Sequence, residues 1–254
     1  MELIVLGSGS RGNASILKYD ETTILLDAGF TLREITGRIA AAGYTADEID
    51  AIVTTHYHSD HINSATMLGR KYDIPVYCSQ SARPYLFKRA RGGFNNIRVF
   101  EHQFQIKQMS VTAIPVPHDA TGTVAFFISA NSRMMTLATD LGSVPEELIP
   151  YLQKSQVWVL ESNHDPDMLW SGPYPEDLKV RVASDYGHLS NTQSFASVEK
   201  NRLDDTEAIV FAHLSQENNS YEIVNRLIAN QLKQKQGTKY YIASQDHILT
   251  KISW

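Results

Sequence analysis

Four side chains of the kinds that bind metals fall within six consecutive positions: His56, His58, Asp60 and His61. They follow a short apolar segment that is predicted to be a buried strand. In an extended segment, side chains two residues apart point to the same side, so His56 and His58 can bind one metal ion. Asp60 and His61 would then turn toward a second ion. Imidazole and carboxylate ligands suit zinc, manganese or iron, and the spacing therefore predicts a site for divalent metals.

Two metal ions need more ligands than this loop supplies. Three further candidates, His118, Asp140 and His213, each come just after a predicted apolar strand. Side chains at the ends of neighbouring strands can converge on one edge of a sheet. A carboxylate can bridge two cations, which a neutral histidine does poorly, so Asp140 is the candidate bridging ligand.

The elements that must position these residues are predicted from the spacing of apolar side chains. Strands are predicted over residues 2–6, 14–19, 22–27, 51–55, 75–78, 97–100, 111–116, 123–130, 133–139, 157–160, 208–212, 239–242 and 248–252. Helices are predicted over residues 31–42, 62–72, 81–89, 145–153, 176–183, 191–201 and 221–233, and a loop over residues 161–175. Parallel strand–helix–strand units alternate with antiparallel hairpins. This order predicts an α/β sandwich with sheets inside and helices outside.

The segment from Gly7 to Gly12 matches the G-x-G-x-x-G pattern of dinucleotide-binding proteins, and Asp27 lies where the ribose-binding acid would be. That pattern requires a helix after the glycines, with its N-terminus facing the pyrophosphate. Only fourteen residues, 13–26, precede Asp27, and they alternate like a hairpin. We therefore interpret the segment as a glycine-rich turn between two strands that borders the active site.

The composition is that of a soluble globular protein, with 43% hydrophobic and 20% charged residues among 254. A chain of this length buries about 75% of its unfolded surface without disulfides, and a single domain over residues 1–254 is expected. Cys78 is the only cysteine, which excludes a disulfide scaffold and a cysteine-rich zinc module. No apolar run exceeds five residues and no secretory signal is visible, so no membrane association and a cytoplasmic location are expected.

The net charge of −5 gives no general attraction to polyanions, so contact with nucleic acid would require a local basic patch. Two groups of basic residues are candidates: Lys88, Arg89, Arg91 and Arg98 around residues 92–94, and Lys179 and Arg181 shortly before His188. Side chains of this kind make most contacts with phosphates. The alternative interpretation is a solvated charged face.

Together these motifs resemble the metallo-β-lactamase superfamily over essentially the whole chain. The matching segments are residues 7–13, 26–29, 56–61, 139–140, 161–165, 187–191, 213–215 and 218–219. The metal loop identifies only the superfamily, whereas the E-S-N-H-D segment at residues 161–165 and the G-H-L-S-N segment at residues 187–191 resemble the YycJ/WalJ-like exonuclease family. The resemblance implies an αββα sandwich of two mixed β-sheets flanked by helices. It also implies two divalent ions (zinc or manganese, with iron as an option) and hydrolysis of DNA from a 5′ end.

The resemblance divides the metal ligands into two sets joined by a bridging carboxylate. His56, His58 and His118 would bind the first ion, Asp60, His61 and His213 the second, and Asp140 both. His188 and His213 are both candidates for the last ligand of the second ion. We predict His213, because it ends a buried strand in the expected order, whereas His188 lies in a glycine-led loop just before a helix.

The remaining assignments concern catalysis by a hydroxide held between the two metals, which would attack phosphorus. His188 resembles the histidine that helps protonate the leaving group in related RNA-processing nucleases, a general-acid role that contributes about 10²–10⁴-fold. Glu161 or His164 would orient it, and the alternative for this pair is a loop held by its own hydrogen bonds. Asp60 is assigned a catalytic role besides metal binding. Asp27 is predicted to support a metal ligand from behind, with a plain turn residue as the alternative.

Two other functions compete with the exonuclease. The first is a small-molecule hydrolase that acts on a lactone, a thioester or a small phosphodiester, which the metal ligands do not exclude. The second is a non-catalytic binding module on a degenerate fold. The full set of ligand residues argues against the module, since degenerate members usually lose ligands.

Overall fold

The computed structural model describes residues 1–91, 93–232 and 237–254. The strands within them are β1 Glu2–Gly7, β2 Ala14–Tyr19, β3 Thr22–Leu26, β4 Ala51–Val53, β5 Val76–Cys78, β6 Ile97–Val99, β7 Gln103–Ile106, β8 Met109–Pro115, β9 Val124–Ala130, β10 Arg133–Ala138, β11 Val157–Glu161, β12 Ala208–Ala212, β13 Lys239–Ile242 and β14 Ile252–Ser253. The helices are α1 Leu32–Ala41, α2 Ser59–Ile62, α3 Ala65–Tyr72, α4 Arg83–Ala90, α5 Ile149–Lys154, α6 Pro166–Ser171, α7 Glu176–Ala183, α8 Asn191–Asn201 and α9 Tyr221–Gln231.

The strands form two mixed sheets. In the described residues the first sheet has the order β14-β1-β2-β3-β4-β5-β6, and the second has the order β13-β12-β11-β10-β9-β8-β7. The first sheet is antiparallel from β14 to β3 and parallel from β3 to β6. The second is parallel from β13 to β10 and antiparallel from β10 to β7.

Apolar side chains of both sheets fill the space between them. Leu3, Val53, Phe126, Val159 and Val210 belong to this central layer, and none is more than 2% exposed. The outer face of the first sheet is covered by α1, α3 and α4, and that of the second by α5, α8 and α9. Because both faces of β11 and β12 are covered, these strands are continuous apolar runs in the sequence. The predicted αββα sandwich of two mixed sheets is confirmed.

The stretch of residues 161–175, predicted as a loop, contains the short helix α6. Pro166 occupies its first turn, and the Asp165 side chain caps it by accepting a hydrogen bond from the Met168 backbone N–H at 3.0 Å. Proline is favoured at a helix start because its missing N–H would have no partner there. The loop prediction is therefore wrong for α6.

Other boundaries differ at the edges of the fold. Strand β7 was not predicted, because its polar residues alternate at the edge of a sheet. The predicted helix over residues 62–72 is divided into α2 and α3, and the predicted strand over residues 248–252 is reduced to β14. The helix predicted over residues 221–233 ends at Gln231, and Lys233 lies outside the described residues.

Across the described ranges, no helix combines the length and the apolar character that crossing a bilayer would require. The single domain over residues 1–254 and the cytoplasmic location stay predictions.

Candidate metal centre

The metal loop lies just beyond the end of β4, where the chain changes from extended backbone to helix. His58 is the last extended residue (φ −61°, ψ 151°), and Asp60 and His61 lie in α2. His56 and His61 are fully buried, whereas the side chain of His58 is 34% exposed. Because of this change of backbone conformation, His56 and His58 belong to one set of donor atoms, and Asp60 and His61 belong to another.

The first donor set joins His56 and His58 to His118, with one donor atom from each residue within 4.8 Å of the others. His118 follows β8, and its Nδ1 lies 3.0 Å from the Gly187 carbonyl oxygen. A proton on Nδ1 can be donated to that oxygen, which leaves Nε2 as a lone-pair donor. This is the usual way in which a protein orients a ligating histidine.

The second donor set joins Asp60 and His61 to His213, again within 4.8 Å. The Asp60 carboxylate oxygen Oδ2 lies 3.5 Å from His61 Nε2 and 3.7 Å from His213 Nε2. His213 follows β12 in the second sheet, and Asp60 and His61 follow β4 in the first. The two sheets therefore contribute ligands to the same site.

Asp140 lies between the two sets. Its Oδ2 is 3.1 Å from His61 Nε2, and its Oδ1 is 3.6 Å from His213 Nε2 and 3.9 Å from His118 Nε2. The carboxylate is 1% exposed and faces histidines of both donor sets. This is the position that a bridging ligand requires.

Three residues at the ends of strands around the site adopt left-handed backbone conformations. Asp27, Asp140 and His213 have φ angles of 59°, 59° and 56°, after β3, β10 and β12 respectively. Such conformations cost about 1–3 kcal/mol for residues other than glycine and cluster at functional sites. Each turns the chain sharply where a strand ends, so that the side chain stays at the edge of the sheet.

Buried donor atoms without partners indicate that a metal fits here. His56 Nε2, His118 Nε2 and His213 Nε2 are buried and have no hydrogen-bond partner in the described residues. Buried polar atoms are nearly always paired. Because these three atoms point into the space beside Asp140, and because the donor set of imidazoles and carboxylates suits divalent transition metals, the residues present fit the metal ions that the fold family implies.

Asp27 supports His61 from behind. Its Oδ2 lies 2.8 Å from His61 Nδ1, and its Oδ1 accepts hydrogen bonds from the Thr55 backbone N–H and hydroxyl at 2.8 and 3.2 Å. The carboxylate fixes the imidazole so that Nε2 faces Asp140. A carboxylate–histidine pair of this kind raises the basicity of a ligand.

Glu161 makes the same kind of contact with two histidines at once. Its Oε1 lies 2.7 Å from His213 Nδ1 and 2.8 Å from His188 Nδ1, while its Oε2 accepts hydrogen bonds from the backbone N–H groups of Leu141 and Leu189. Burial alone would raise the pKa of this carboxyl, but the His188 imidazole and the hydrogen bonds from His188 and His213 outweigh burial and hold the pKa at about 2. Glu161 is therefore an ionised anchor for both rings.

His188 is more exposed than His213, the other histidine that Glu161 contacts. Its side chain is 20% exposed and borders a cavity of about 140 Å³ that Asn163, Tyr174 and Arg181 also line. Burial would lower the pKa of His188, but Glu161 raises it above the ordinary value. A protonated, partly accessible imidazole beside Asp140 can donate a proton to a bound group.

His164 makes no hydrogen bond to His188 in the described residues. Its backbone pairs with Ser190, its Nδ1 is buried without a partner, and burial lowers its pKa to about 4. Of the two residues predicted to orient His188, the structure brings only Glu161 into contact with it.

The two carboxylates of the centre are ionised. Burial would raise the pKa of Asp140, but His213 and His61 outweigh burial and hold it well below its ordinary value. Burial would likewise raise the pKa of Asp60, but the nearby His61 outweighs burial and lowers it. Burial also lowers the pKa of His56 well below its ordinary value, so that ring is neutral. For these three groups they are the protonation states that metal binding requires. Burial would lower the pKa of His61 and His213, but the neighbouring carboxylates raise it, so metal binding there would release a proton from each ring.

One residue beside the site was missed in the sequence, and the close packing of another, within the matching segment 26–29, was not predicted. Asp119 places its Oδ1 3.2 Å from His118 Nε2 and 3.6 Å from His58 Nε2, beside the first donor set. Gly29 packs so closely under the metal loop that a Cβ there would lie 1.6 Å from the Asp60 carbonyl oxygen. An acidic residue directly after a predicted ligand was the available signal for Asp119, whereas nothing in the sequence marks the close approach at Gly29.

The glycine-rich segment does form a turn between β1 and β2, and it contacts the site. Asn13 donates its backbone N–H to the Asp60 carbonyl at 2.8 Å, and the Ser8 hydroxyl accepts a hydrogen bond from the His213 backbone N–H at 2.9 Å. No helix follows the glycines, so the dinucleotide interpretation is excluded.

The predicted basic groups are arranged differently from their order in the sequence. Lys88, Arg89 and Arg91 line a cavity beside the metal loop, while Arg98 lies outside it on β6. Lys179 donates a hydrogen bond to the Trp170 carbonyl at 2.8 Å, and Arg181 forms an ion pair with Asp119 with an Nε–Oδ2 distance of 2.6 Å. The second group is thus already engaged within the protein.

Comparison with known proteins places this geometry in a family. The family model described as the metallo-beta-lactamase superfamily matches residues 7–213. The chain is 32% identical over 234 residues to a Bacillus anthracis protein named exodeoxyribonuclease YycJ, a match that covers 91% of this chain and 89% of that one. It is 31% identical over 239 residues to exodeoxyribonuclease WalJ of Streptococcus pneumoniae serotype 2, covering 91% and 87%. The crystal structure of the metallo-β-lactamase fold protein YhfI of Bacillus subtilis superposes with a TM-score of 0.73 at 15% identity, covering 98% of both chains.

The last of these similarities shows the fold alone. The first three cover most of the chain. The chain therefore belongs to the metallo-β-lactamase superfamily, in the family of the proteins named YycJ and WalJ, and is a metal-dependent hydrolytic enzyme.

Proposed function

We propose that the protein is a phosphodiesterase that holds two divalent metal ions and digests DNA from a 5′ end. The observation that carries the proposal is the position of Asp140, whose two oxygens face histidines of two separate donor sets. In this assignment His56, His58 and His118 would hold the first ion, Asp60, His61 and His213 would hold the second, and Asp140 would contact both.

Two ions so held, of zinc, manganese or iron, would supply an activated water nucleophile and would stabilise charge on the attacking and leaving oxygens. The protein's own side chains keep the ligands in place. Asp27 fixes His61, and Glu161 fixes His213, through Nδ1 contacts of 2.8 and 2.7 Å. Asp60 acts through its carboxylate in the second donor set.

His188 is the proposed general acid. Departure of a sugar oxygen as an alkoxide is unfavourable, and a positioned acid contributes about 10²–10⁴-fold. The imidazole is 20% exposed, lies beside the bridging carboxylate, and is held by Glu161. After it donates its proton to the leaving oxygen, its contact with the ionised Glu161 favours reprotonation. His164 remains a predicted orienting residue for His188, but no contact between the two side chains supports that role.

DNA is the proposed substrate because the relatives that match over about nine tenths of the chain are named exodeoxyribonucleases. The basic residues beside the metal loop agree with a polyanionic substrate. A substrate as small as a lactone or a simple phosphodiester is the second candidate. The cavity of about 140 Å³ beside His188 favours it, since that space is small for a nucleotide.

The test uses the purified protein loaded with manganese or zinc and offered end-labelled DNA, RNA, a small phosphodiester and a lactone. We expect nucleotides to be released stepwise from the 5′ end of DNA, and the Asp140→Asn variant to be inactive. An intact DNA end under conditions in which a small ester is turned over would overturn the proposal in favour of the small-molecule hydrolase.

A further inference from the structure

A cavity of about 720 Å³ lies directly beside the metal loop, between α3 and α4. Its walls reach the loop at Tyr57, the residue between two proposed ligands, and at Asn63, just after α2. The cavity shares no lining residue with the smaller one beside His188. It is thus a separate space that opens next to the same centre.

The charged residues that line this cavity are all basic. Arg70 from α3 and Lys88, Arg89 and Arg91 from the end of α4 line it, and none of its described lining residues is acidic. In the part of the chain that the structure describes, no ion pair joins any of the four to a carboxylate. The Arg89 guanidinium is held toward the metal loop by a hydrogen bond to the Asn63 side chain at 3.0 Å. Four cations without counter-ions around one concave space favour a ligand with several phosphates.

The aromatic rings of the cavity are stacked. Tyr57 and Tyr85 lie face to face, with ring centroids 4.0 Å apart and an angle of 4° between the planes. Tyr85 is nevertheless 46% exposed. A base can extend such a stack irrespective of its identity, because every base has a π-face. The Tyr57 hydroxyl also accepts a hydrogen bond from the Thr121 backbone N–H at 3.2 Å, which ties the stack to the segment that carries His118.

We propose that this cavity is a strand-binding subsite for single-stranded DNA, in which a base stacks on Tyr85 and the backbone phosphates contact Arg70, Lys88, Arg89 and Arg91. This inference rests on the proposed function and specifies where the substrate lies beyond the reacting phosphate. The sequence alone grouped Arg98 with these residues. The structure replaces Arg98 by Arg70, which comes from a different helix.

The test measures binding of a short phosphorothioate oligothymidylate, which resists cleavage, to the metal-loaded protein at several salt concentrations. We expect Arg70→Ala to lower the slope of log affinity against log salt by about 0.7, the value for one phosphate contact with a single strand. Lys71→Ala is the matched control, because Lys71 is the next residue of α3, is exposed and does not line the cavity, so it should keep the wild-type slope. Tyr85→Leu should weaken binding by about 5- to 150-fold, whereas Tyr85→Phe retains the stack and the affinity.

Thermal unfolding midpoints equal to the wild-type value will show that the variants are folded, since Arg70, Lys71 and Tyr85 are all exposed. The subsite would be overturned if Arg70→Ala and Tyr85→Leu both keep the wild-type slope and affinity while the wild-type protein binds and digests DNA. That result would leave the exonuclease proposal standing. A wild-type protein that neither binds nor digests DNA, yet hydrolyses a small phosphodiester, would overturn the exonuclease proposal itself.

Discussion

Glu161 supports two imidazoles from one carboxylate oxygen, and this makes the roles of those imidazoles separable. His213 is fully enclosed by Asp60, Asp140 and Glu161, whereas His188 reaches the solvent. An enclosed ring with an unpartnered Nε2 suits a metal, and an accessible ring suits proton transfer. Substitution of each ring in turn distinguishes the two roles.

We expect His213→Ala to lose one of two bound metal ions and His188→Ala to retain both while its turnover falls by about 10²–10⁴-fold. The reason is that only His213 faces Asp60 and Asp140 from within the donor set. Metal content by atomic emission, together with single-turnover rates, will check this. The reverse pattern would exchange the two assignments.

Glu161→Gln and Asp27→Asn form a matched pair, because each removes a charge behind a proposed ligand without changing side-chain size. Asp27→Asn should lower metal affinity by about 10–100-fold, measured by competition with a chelator. Glu161→Gln should do the same and should in addition slow turnover at saturating metal, because it also holds His188. Equal turnover of the two variants at saturating metal would contradict a role for Glu161 in positioning His188.

At the scale of elements, the site depends on how strands end. The ligand types were visible in the sequence because His, Asp and Glu residues follow apolar strands, and the H-x-H-x-D-H spacing is itself informative. What could not be predicted is proximity across elements. Arg70 beside Lys88, and Asp119 beside His58, depend on side chains that meet only after folding. The Asp165 cap of α6 and the position of Asp119 next to His118 are, in contrast, local signals that the sequence does carry.

Gly29 tests whether the metal loop depends on close backbone packing. A Cβ at this position would overlap the Asp60 carbonyl oxygen, so Gly29→Ala should displace the loop, weaken binding of the second ion and destabilise the fold by about 1–3 kcal/mol.

Gly37→Ala is the control, because a Cβ there meets nothing within 4 Å and the position lies within α1. Alanine is preferred in helices, so the control should gain about 0.8–1.0 kcal/mol. Chemical denaturation with the metal content held constant measures the free energy of unfolding of both variants. A Gly29→Ala variant as stable as the wild type would show that the backbone at this position can move to accept the methyl group.

The whole molecule has one built-in reporter of unfolding, the thiol of Cys78 in β5. The residue is 0% exposed, and burial raises its pKa to about 12 from an ordinary value of 9.0. We expect iodoacetamide to modify it only after the first sheet opens. The unfolded protein loses this proton above pH 9 and the folded protein does not, so this group makes the free energy of unfolding fall between pH 9 and 12. Cys78→Ala should show a smaller fall over that range, and rapid labelling of the native protein would contradict the burial.

Metal removal should lower the stability of the entire fold, because the donor sets belong to both sheets and exist only in the folded chain. A ligand that binds only the native state stabilises it by about 2.7 kcal/mol at one hundred times its dissociation constant. We expect chelation to lower the unfolding temperature, and to lower it less in His213→Ala, which has less bound metal to lose. Calorimetry with and without chelator measures both shifts, and an unchanged wild-type midpoint would argue against metal that bridges the sheets.

The wide spacing of the donors along the chain also determines when the centre can exist during synthesis. His56 and His213 are 157 residues apart, and β1 pairs with β14 near the last residue. At about 5–20 residues per second on the ribosome, the first histidines would wait roughly 8–30 s for the last one. Until then a nascent chain carries exposed imidazoles and an open first sheet. The donor set of Asp60, His61 and His213 is therefore complete only after His213 has been synthesised, so we expect hydrolytic activity that depends on this set to begin no earlier than that point.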